Sequence, residues 1–397
     1  DSPISGLMGN GQAALELLLG GMYGGFQVFL ANPLAGPEIL AYVIDHSETN
    51  LFFVVPEYEE LTEKAFSKLS KHPKIIKTHP ENGPEWGKIS LKNNNQIRNP
   101  KPEDNALLIY TSGTTGKPKG VVHSHKSLLY GGFNTKLAHE LNPNDKTLCI
   151  LPLYHINAQV VSVMGTLISG SSLVLPVRFK VSEFWPHIIK GECTWFSAVP
   201  TIFSYLMNAK FDKSLKYKLK NLRFGRSASA PLPPALHKSF QERFGISIVE
   251  TIGITETAAP LLSNPLNPKL HKIGSTGIAY GNKVRIANGN GEIAAVGEEN
   301  EIQVKGHNIM KEYLKNPEAT KEVFTKDGWY RTGDLGIKDK DGYFFITGRI
   351  KELIIKGGEN IAPREIDDVL YRHKKVMEAA AFPIHDNHYG QTIAAAI

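Results

Sequence analysis

Helix-like and strand-like segments alternate through the first part of the chain. Between Ala13 and Val55 the helix-like run AALELLLGGMYGG precedes the apolar run FQVFL, and the run GPEILAYVIDH precedes LFFVV. An alternation of this kind is typical of an α/β layer built around a parallel sheet. The pattern therefore predicts an α/β fold at the start of the chain.

The pattern changes at three later points. A polar segment from Thr78 to Asn105 precedes a second α/β unit, in which TLCILPL, SSLVLP, CTWFSAVP, LRFGR and ISIVET are predicted strands and Val160 to Gly170 is a predicted buried helix. From about Gly274 to Ile350, Asn-Gly and Asp-Gly turns separate the short predicted strands KVRIA, GEIAAV, EIQVKG and GYFFIT, which indicates antiparallel β structure. A strand-turn-helix element begins past Lys351.

These changes predict an α/β protein with four regions. Residues 1–100 would form a first α/β subdomain and residues 101–273 a second one, together making a large N-terminal region. Residues 274–350 would form a β-rich, barrel-like subdomain, and residues 351–397 the truncated start of a small α+β C-terminal domain.

Charge and cysteine content limit the partners and the compartment. The 397 residues carry a net charge of +6 at pH 7, which favours anionic ligands, with nucleic acid as one candidate among several. The basic run from Lys210 to Arg223 equally fits the solvated face of an amphipathic helix, which is our preferred interpretation.

The stretch from Ala13 to Gly36 is too polar for a membrane span, and we expect no signal peptide. Because Cys149 and Cys193 lie in apolar stretches, we expect no disulfide and a reducing, cytoplasmic location.

A loop rich in glycine, hydroxyl and lysine residues follows the apolar strand ALLIY. The run from Tyr110 to Gly120 holds three glycines, two lysines and four serine or threonine residues in eleven positions. Glycines let backbone N–H groups approach anionic oxygens, while hydroxyl and ammonium groups add donors and charge. The spacing excludes the P-loop NTPase motif, because Gly113 and Gly116 enclose only two residues and Pro118 follows Lys117. The run predicts a polyphosphate-binding loop of another kind.

The run TSGTTGKPKG resembles the signature of the adenylate-forming enzymes, which include acyl- and aryl-CoA synthetases, firefly-type luciferases and peptide-synthetase adenylation domains. Five more stretches resemble this family in the expected order: PLYHINA, GITET, WYRTGDLG, GYFFITGRIKELI and KGGENIAPREID. The resemblance implies that a carboxylate attacks the α-phosphate of MgATP, giving an acyl-adenylate and pyrophosphate. A thiol, usually that of coenzyme A, then takes the acyl group.

The resemblance assigns several residues to the nucleotide. Asp334 would accept the ribose hydroxyls and Arg349 would also reach the nucleotide; from the residues alone, a turn-capping Asp and a surface Arg are the alternatives. Similar proteins stack adenine on an aromatic residue where this chain has Ile252, so we expect the backbone from Gly225 to Pro231 to contact the base. The predicted ATP and AMP site comprises Thr111, Ser112, Gly113, Thr114, Thr115, Gly116, Lys117, Ser229, Ala230, Pro231, Ile252, Gly253, Thr255, Asp334 and Arg349.

The resemblance also implies catalytic groups. Thr255 and Glu256 would hold a phosphate and its Mg²⁺, with Glu256 as the metal ligand, because hard cations prefer oxygen ligands; a Thr-Glu pair is also a common helix start. Lys119 would stabilise charge at the α-phosphate. His155 would line the acyl tunnel and gate the substrate carboxylate, although a histidine at a strand end is often only structural.

Two lysines near the C-terminus would serve a domain rotation. Lys351 matches the hinge about which the family turns its mobile C-terminal domain, and Lys356 matches the lysine that is presented for thioester formation. Two solvated lysines are the alternative. Glu312 stands where similar proteins have Gly, so a position that needs a positive φ would be strained. Family members also end with a lysine that contacts the α-phosphate, and we expect the chain as far as Ile397 to bind ATP but to adenylate slowly.

The nature of the acid is the least determined point. The stretch RFGRSASAPLPP resembles oxalate–CoA ligases and their relatives, which favours a small polar acid, with a short- or medium-chain acid second. Arg226 would line the acyl pocket and pair with a second carboxylate, or else form a salt bridge within the scaffold. The predicted partners are a carboxylic acid, ATP with Mg²⁺ and coenzyme A, with no nucleic acid. An adenylation domain that loads a carrier protein and a catalytically silent adenylate-binding module are the alternatives.

Overall fold

The computed structural model describes residues 3–85, 99–111, 117–373, 375–376, 378–386 and 388–397. Its α-helices are α1 Gln12–Tyr23, α2 Gly36–Ser47, α3 Glu59–Phe66, α4 His125–His139, α5 Gly165–Ser169, α6 Val181–Gly191, α7 Pro200–Asn208, α8 Pro234–Phe244, α9 Pro317–Glu322 and α10 Pro363–Leu370. A π-helical segment covers Asn157–Met164, and 3-10 segments cover Pro56–Tyr58, Lys213–Leu219, Thr255–Thr257, Pro268–Leu270 and Ile350–Glu352. The strands are β1 Ile4–Leu7, β2 Val28–Leu30, β3 Leu51–Val54, β4 Lys74–His79, β5 Gly83–Pro84, β6 Asn105–Thr111, β7 Lys119–Ser124, β8 Lys146–Cys149, β9 Ser172–Val174, β10 Trp195–Ala198, β11 Phe224–Ser227, β12 Ser247–Ile252, β13 Leu262–Ser263, β14 Ile278–Ala279, β15 Lys283–Ala287, β16 Asn300–Lys305, β17 Glu312–Tyr313, β18 Tyr330–Lys338, β19 Phe344–Arg349, β20 Ile354–Lys356, β21 Glu359–Ile361, β22 Ala380–Asp386 and β23 Gly390–Ala396.

The first sheet has a parallel centre covered on both faces. Its strand order is β17-β7-β6-β2-β1-β3-β4-β5, and the strands from β6 to β4 in this order run parallel. Ile4 and Val28 pack with α1 on one face, while Phe29 and Phe52 pack with α2 and α3 on the other. Successive side chains of a strand point to opposite faces, so a strand between two helical layers is apolar throughout. The α/β fold predicted from the alternation is confirmed.

The loop-flanking strands β6 and β7 belong to this first sheet. Val28 of β2 pairs in parallel with Leu107 of β6, and Thr111 of β6 lies opposite Lys119 of β7. The predicted boundary near residue 100 would therefore assign β6 and β7 to a different subdomain from the other strands of their sheet. The physical reason is that the apolar run ALLIY adds a strand to the buried parallel sheet. The entropy cost of closing the long polar segment before it grows only slowly with length, so this segment does not prevent the pairing.

The second sheet accounts for the second α/β unit. Its order is β14-β13-β12-β11-β10-β8-β9, with β9, β8, β10, β11 and β12 parallel and β13 and β14 antiparallel. All five strands predicted for this unit are present. The predicted buried helix from Val160 to Gly170 is helical in two parts, the end of the buried π-helical segment and then α5.

Two antiparallel sheets follow, with orders β15-β16-β18-β19 and β21-β20-β23-β22. They agree with the predicted β-rich region and α+β start of a further domain, except that GEIAAV contributes only a single pairing, between Ile293 and Ala287. Within the described ranges, no helix is long and apolar enough to cross a membrane.

Two local expectations can be compared with the structure. Glu312 lies in the extended strand β17 opposite Val122 and does not have a positive φ, so the condition for strain at this position is not met. The prediction of an amphipathic helix for the basic run from Lys210 to Arg223 was wrong, because only Lys213–Leu219 is helical and this part is a 3-10 segment. The Asp212 carboxylate caps the segment by accepting from the Ser214 N–H at 2.8 Å.

A buried histidine joins α4 to the second sheet. The ring of His139 lies nearly parallel to the neighbouring rings of Trp195 and Phe224, with ring centroids 5.7 and 5.3 Å away. Its Nδ1 donates to the Thr135 carbonyl at 2.9 Å, and its buried Nε2 has no partner among the described residues. Burial, and then the Arg226 guanidinium, lowers the pKa of His139 to about 3, so the folded protein holds a neutral ring.

We expect His139→Phe to make the protein less sensitive to acid. The unfolded chain protonates His139 near its ordinary pKa of 6.5, whereas the folded protein keeps this ring neutral down to about pH 3. The free energy of unfolding is therefore fully retained above about pH 6.5 and decreases as the pH falls towards about 3. The loss from one such group is about 2 kcal/mol at about pH 5. Phenylalanine keeps the stacking and does not titrate, so the melting temperature of the variant should fall less between about pH 7.5 and about pH 5. An equal fall in both proteins would contradict this role.

Candidate active site

A cavity of about 740 Å³ lies where the second sheet, the β18–β19 pair and the C-terminal segment meet. Its walls include predicted nucleotide residues from three separate parts of the chain. They are Ser229, Ala230, Pro231, Ile252, Gly253, Asp334 and Arg349. The opposite wall is formed by Arg364, Asp367 and Tyr371, from α10 and the turn that follows it.

Asp334 has a spare acceptor inside this cavity. It lies in β18 opposite Arg349 of β19, and the Arg349 Nε donates to Asp334 Oδ1 at 2.7 Å. The side chain of Asp334 is only 4% exposed, and its Oδ2 is buried without a hydrogen-bond partner among the described residues. Desolvation raises the pKa of Asp334, while Arg349 opposes this shift. A buried acceptor without a donor is costly, so hydroxyl groups of a ligand would bind here favourably.

The backbone is tightly constrained on the side of the cavity that we expect to contact the adenine base. A Cβ on Gly253 would lie 2.6 Å from the Ala259 Cβ, so only glycine fits at this position. Ser229 has a φ of 72°, a left-handed conformation uncommon for serine, and its Oγ accepts from Asn157 Nδ2 at 3.2 Å. Ile252 presents an aliphatic surface to the cavity, as its identity implied.

Thr255 and Glu256 form a 3-10 turn that is held by strands of the first sheet. The Nε2 of His123 in β7 donates to the Thr255 carbonyl at 2.8 Å, and the Tyr313 hydroxyl of β17 donates to Glu256 Oε1 at 2.8 Å. Desolvation raises the pKa of Glu256, and the hydrogen bond from Tyr313 opposes this shift. The Glu256 side chain is therefore partly buried and has one carboxylate oxygen fixed by a hydrogen bond.

The donor set fits a magnesium ion that arrives with a nucleotide. The described residues contain no cluster of three or more His, Cys, Asp or Glu side chains that could hold a metal. Mg²⁺ commonly binds one or two carboxylates together with substrate phosphates and waters, rather than a protein cage. Glu256, with one oxygen bound to Tyr313, provides a single carboxylate of this kind. A bound ion would neutralise phosphate charge there.

The loop lysines lie beside aromatic rings. The Nζ of Lys117 is 5.4 Å from the centroid of the Tyr42 ring, and the Nζ of Lys119 is 4.9 Å from that of Tyr313. The predicted loop residues Ser112, Gly113, Thr114, Thr115 and Gly116 lie outside the described residues.

A second cavity of about 280 Å³ brings Thr111 and His155 together. Pro118 and Tyr154 also line it, beside the apolar end of β2. Partial desolvation lowers the pKa of His155, which favours the neutral imidazole. The predicted gating role of His155 stays a prediction, but its position beside the loop is compatible with it.

Arg226 is completely buried in β11 and has an unusual environment. Its Nη1 donates to Asn157 Oδ1 at 3.1 Å and to Ser197 Oγ at 3.0 Å, while its buried Nε has no partner among the described residues. None of the described carboxylates lies within ion-pair distance of this guanidinium, so the alternative of a scaffold salt bridge is wrong. Burial lowers the pKa of Arg226 to about 9.

Neither Lys351 nor Lys356 lines the larger cavity. Lys351 is exposed in the 3-10 segment between β19 and β20, where the third sheet gives way to the fourth. Lys356 ends β20, and its Nζ is 5.4 Å from the centroid of the Tyr389 ring. The hinge role of Lys351 and the thioester-forming role of Lys356 both stay predictions.

Four side chains that touch the predicted site were missed from the sequence. Each forms a hydrogen bond with one predicted residue: His123 with Thr255, Asn157 with Ser229, Ser197 with Arg226, and Tyr313 with Glu256. Asn157 belongs to the motif PLYHINA, and Tyr313 directly follows Glu312, which the comparison with the family had already noted. Their positions in the sequence therefore gave a weak indication that they lie near the site. His123 and Ser197 stand in apolar strands, and no local pattern distinguishes them from core residues.

Residues 1–314 match the family described as AMP-binding enzyme, and the chain belongs to this family. It is similar to a sulfoacetate–CoA ligase of Cupriavidus necator, with 45% identity over 393 residues that cover 99% of this chain and 76% of the relative. An oxalate–CoA ligase of Arabidopsis thaliana is 39% identical over 299 residues, which cover 75% of this chain and 58% of the relative. The predicted resemblance and enzyme class, an AMP-forming acid–thiol ligase, are thereby confirmed at the level of the family.

The fold agrees with this membership. The ATP-bound structure of MatB from Rhodopseudomonas palustris superposes with a TM-score of 0.86 at 27% identity, covering 100% of this chain and 78% of that chain. The chain thus spans about three quarters of the Cupriavidus and MatB chains and less than two thirds of the Arabidopsis enzyme.

We expect Asp334→Asn to abolish recognition of the ribose hydroxyls. A carboxylate accepts both hydroxyls, whereas an amide offers one acceptor and an unsuited NH₂ group. The wild type should prefer ATP over 2′,3′-dideoxy-ATP by about tenfold or more, since one hydrogen bond to a charged group contributes about 1.5–3 kcal/mol. Isothermal titration calorimetry should show this preference lost in Asp334→Asn and kept in the control Asp341→Asn, which changes a carboxylate paired with Lys272. A preference retained by Asp334→Asn would contradict the assignment.

Proposed function

We propose that this chain belongs to an ATP-dependent ligase that joins a small dianionic acid to coenzyme A. A carboxylate oxygen of the acid would attack the α-phosphate, the bond to the β-phosphate oxygen would break, and pyrophosphate would leave. The thiolate sulfur of coenzyme A would then attack the acyl carbon and release AMP. ATP with Mg²⁺ and coenzyme A are the co-substrates in this proposal, and the buried free cysteines agree with a reducing, cytoplasmic location.

The buried and unpaired guanidinium of Arg226 is the observation that carries this proposal. A buried charge without a counter-ion is costly, because water no longer solvates it and nothing replaces the lost interaction. Within the described part of the chain, Arg226 donates only to neutral acceptors, Asn157 Oδ1 and Ser197 Oγ. An acid with a second anionic group would supply the missing charge. A carboxylate or sulfonate also matches the planar, multi-donor geometry of arginine.

A chain of hydrogen bonds connects Arg226 with the larger cavity. Ser229 lines the cavity, its Oγ accepts from Asn157 Nδ2, and Asn157 Oδ1 accepts from Arg226. Asn157 lies two positions after His155, at the start of the π-helical segment. A small acid beside Ser229 and Asn157 would therefore be close to both the nucleotide residues and the buried guanidinium.

The names of the similar proteins agree with an acid of this chemistry. Sulfoacetate and oxalate, which are named for the Cupriavidus and Arabidopsis relatives, each combine a carboxylate with a second anionic group. Neither contains a long apolar portion. This supports the small polar acid over the short- or medium-chain acid.

Acid-dependent release of pyrophosphate tests the proposed reaction. The purified chain, and the same chain extended to the length of its relatives, would be incubated with ATP, Mg²⁺ and sulfoacetate, oxalate, malonate, acetate or hexanoate. We expect the dianions to be used with a kcat/KM about tenfold or more above that of acetate or hexanoate. ATP binding without pyrophosphate release in either chain would instead indicate a silent adenylate-binding module. Adenylate formation without transfer to coenzyme A would indicate loading of a carrier protein.

We expect Arg226→Met to reduce selectively the use of dianions. Loss of the charged hydrogen bonds should lower kcat/KM for sulfoacetate or oxalate about tenfold to 100-fold, with acetate changed by less than about threefold. Arg226→Lys should recover part of the loss. Arg223→Lys is the matched control, because Arg223 directly precedes the same strand and pairs with Asp145.

Thermal stability provides a second readout for the same variant. Arg226→Met removes an uncompensated buried charge, so its melting temperature should be unchanged or higher. Asn157 Oδ1 keeps a hydrogen-bond donor in this variant, because Ser197 Oγ donates to it at 3.0 Å. An equal loss of activity with dianions and with acetate would be inconsistent with a receptor for the second anionic group.

A further inference from the structure

Strand β17 carries a tyrosine that reaches two of the groups predicted to act on the phosphates. Tyr313 of β17 lies opposite Val121 of β7, and the Leu314 N–H donates to the Gly120 carbonyl at 2.7 Å. Lys119, the loop lysine, is the first residue of β7. This pairing places the Tyr313 side chain between Lys119 and the turn that carries Glu256.

The hydroxyl of Tyr313 fixes the Glu256 carboxylate. It donates to Glu256 Oε1 at 2.8 Å, and the residue is only 5% exposed. A phenol hydroxyl is protonated at neutral pH and can donate to a carboxylate. A charge-assisted hydrogen bond of this kind holds one carboxylate oxygen in place and leaves the other available to a ligand.

The ring of Tyr313 also contacts Lys119. The ammonium nitrogen lies 4.9 Å from the ring centroid, within the range of a cation–π interaction. One side chain thus binds a cationic group through its face and an anionic group through its hydroxyl. The two groups come from parts of the sequence more than a hundred residues apart.

The backbone of the turn is held independently of Tyr313. The carbonyl of Thr255 accepts from His123, that of Glu256 from the Met310 N–H at 2.8 Å, and that of Thr257 from Asn308 Nδ2. The position of the turn therefore does not depend on the tyrosine hydroxyl. What depends on it is the orientation of the Glu256 side chain.

We propose that Tyr313 is a positioning residue that aligns the Glu256 carboxylate and the Lys119 ammonium for the metal–triphosphate of ATP. This inference rests on the proposed adenylation function. Groups held in the geometry of the reacting complex bind without first losing side-chain freedom, so such alignment strengthens binding and speeds reaction. Tyr313 itself need not touch the nucleotide.

The test combines Tyr313→Phe, which keeps the ring but removes the hydroxyl, with Tyr313→Leu, which removes both. Tyr343→Phe is the matched control, because Tyr343 is also a buried tyrosine of this part of the chain and its hydroxyl donates to the Leu270 carbonyl. Dissociation constants for Mn²⁺·ATP, measured by electron paramagnetic resonance, and for metal-free AMP, measured by calorimetry, serve as the probes.

We expect Tyr313→Phe to weaken Mn²⁺·ATP binding about tenfold while AMP binding changes less than about twofold. Tyr343→Phe should change neither constant. Tyr313→Leu should weaken Mn²⁺·ATP further, because Lys119 then also loses its ring contact. Equal constants for the Phe and Leu variants would overturn the part of the proposal that concerns Lys119.

A double-mutant cycle with Glu256→Gln separates positioning from a general structural effect. If Tyr313 acts through the Glu256 carboxylate, Tyr313→Phe should weaken Mn²⁺·ATP by less than about twofold in the Glu256→Gln background. The full effect in that background, or equal losses for AMP and Mn²⁺·ATP, would overturn the proposal. These constants are independent of turnover, so they decide the role of Tyr313 even if no acid releases pyrophosphate and the proposed function fails.

Discussion

The antiparallel pairing of β7 with β6 on one side and with β17 on the other holds together the part of the candidate site that is predicted to bind the phosphates. Through β6 it sets the two ends of the loop, Thr111 and Lys119, opposite each other. Through β17 it brings in Tyr313, and through its own His123 it reaches Thr255. Ladder hydrogen bonds fix the register of every side chain along the strand, because a shift of one residue would turn each side chain to the other face. Three distant stretches of sequence thereby share one rigid frame.

Incomplete pairing of buried or partly buried charges is the second property of the site. Among the residues that the structure describes, Asp334 has one oxygen bound to Arg349 and another without a donor. Glu256 is bound at one oxygen by Tyr313. Among the same described residues, Arg226 donates only to neutral groups. Such groups destabilise the protein when the site is empty and interact strongly with a ligand that completes them, since water screens them little. The three groups differ in the chemistry of the missing partner, which is respectively a hydroxyl donor, a cation and an anion. A nucleotide with its metal and a dianionic acid would satisfy all three.

Much of the fold could be predicted from the sequence because its elements depend on local patterns. The apolar runs predicted β2, β3 and β6 of the first sheet and the five parallel strands of the second, but not β1 or β4. Asn-Gly and Asp-Gly turns predicted the antiparallel region. The errors concern pairing over long distances. The boundary near residue 100 missed that β6 pairs with β2, and no local signal indicated that β17 pairs with β7. Hydrophobic periodicity reports which residues are buried, but it does not report which strands are neighbours.

The sequence by itself determined the family and the set of residues predicted to bind the nucleotide, because the motifs around the loop, Glu256, Asp334 and Arg349 lie in short, ordered stretches. Only the tertiary structure decided which of these groups meet, since seven of them share one cavity while Thr111 and His155 share another. It also decided that Arg226 has no scaffold carboxylate among the described residues and that Tyr313 supports Glu256. The physical reason is that the free energy of a charged group depends on burial and on partners. Both are set by strands that pair across more than a hundred residues of chain.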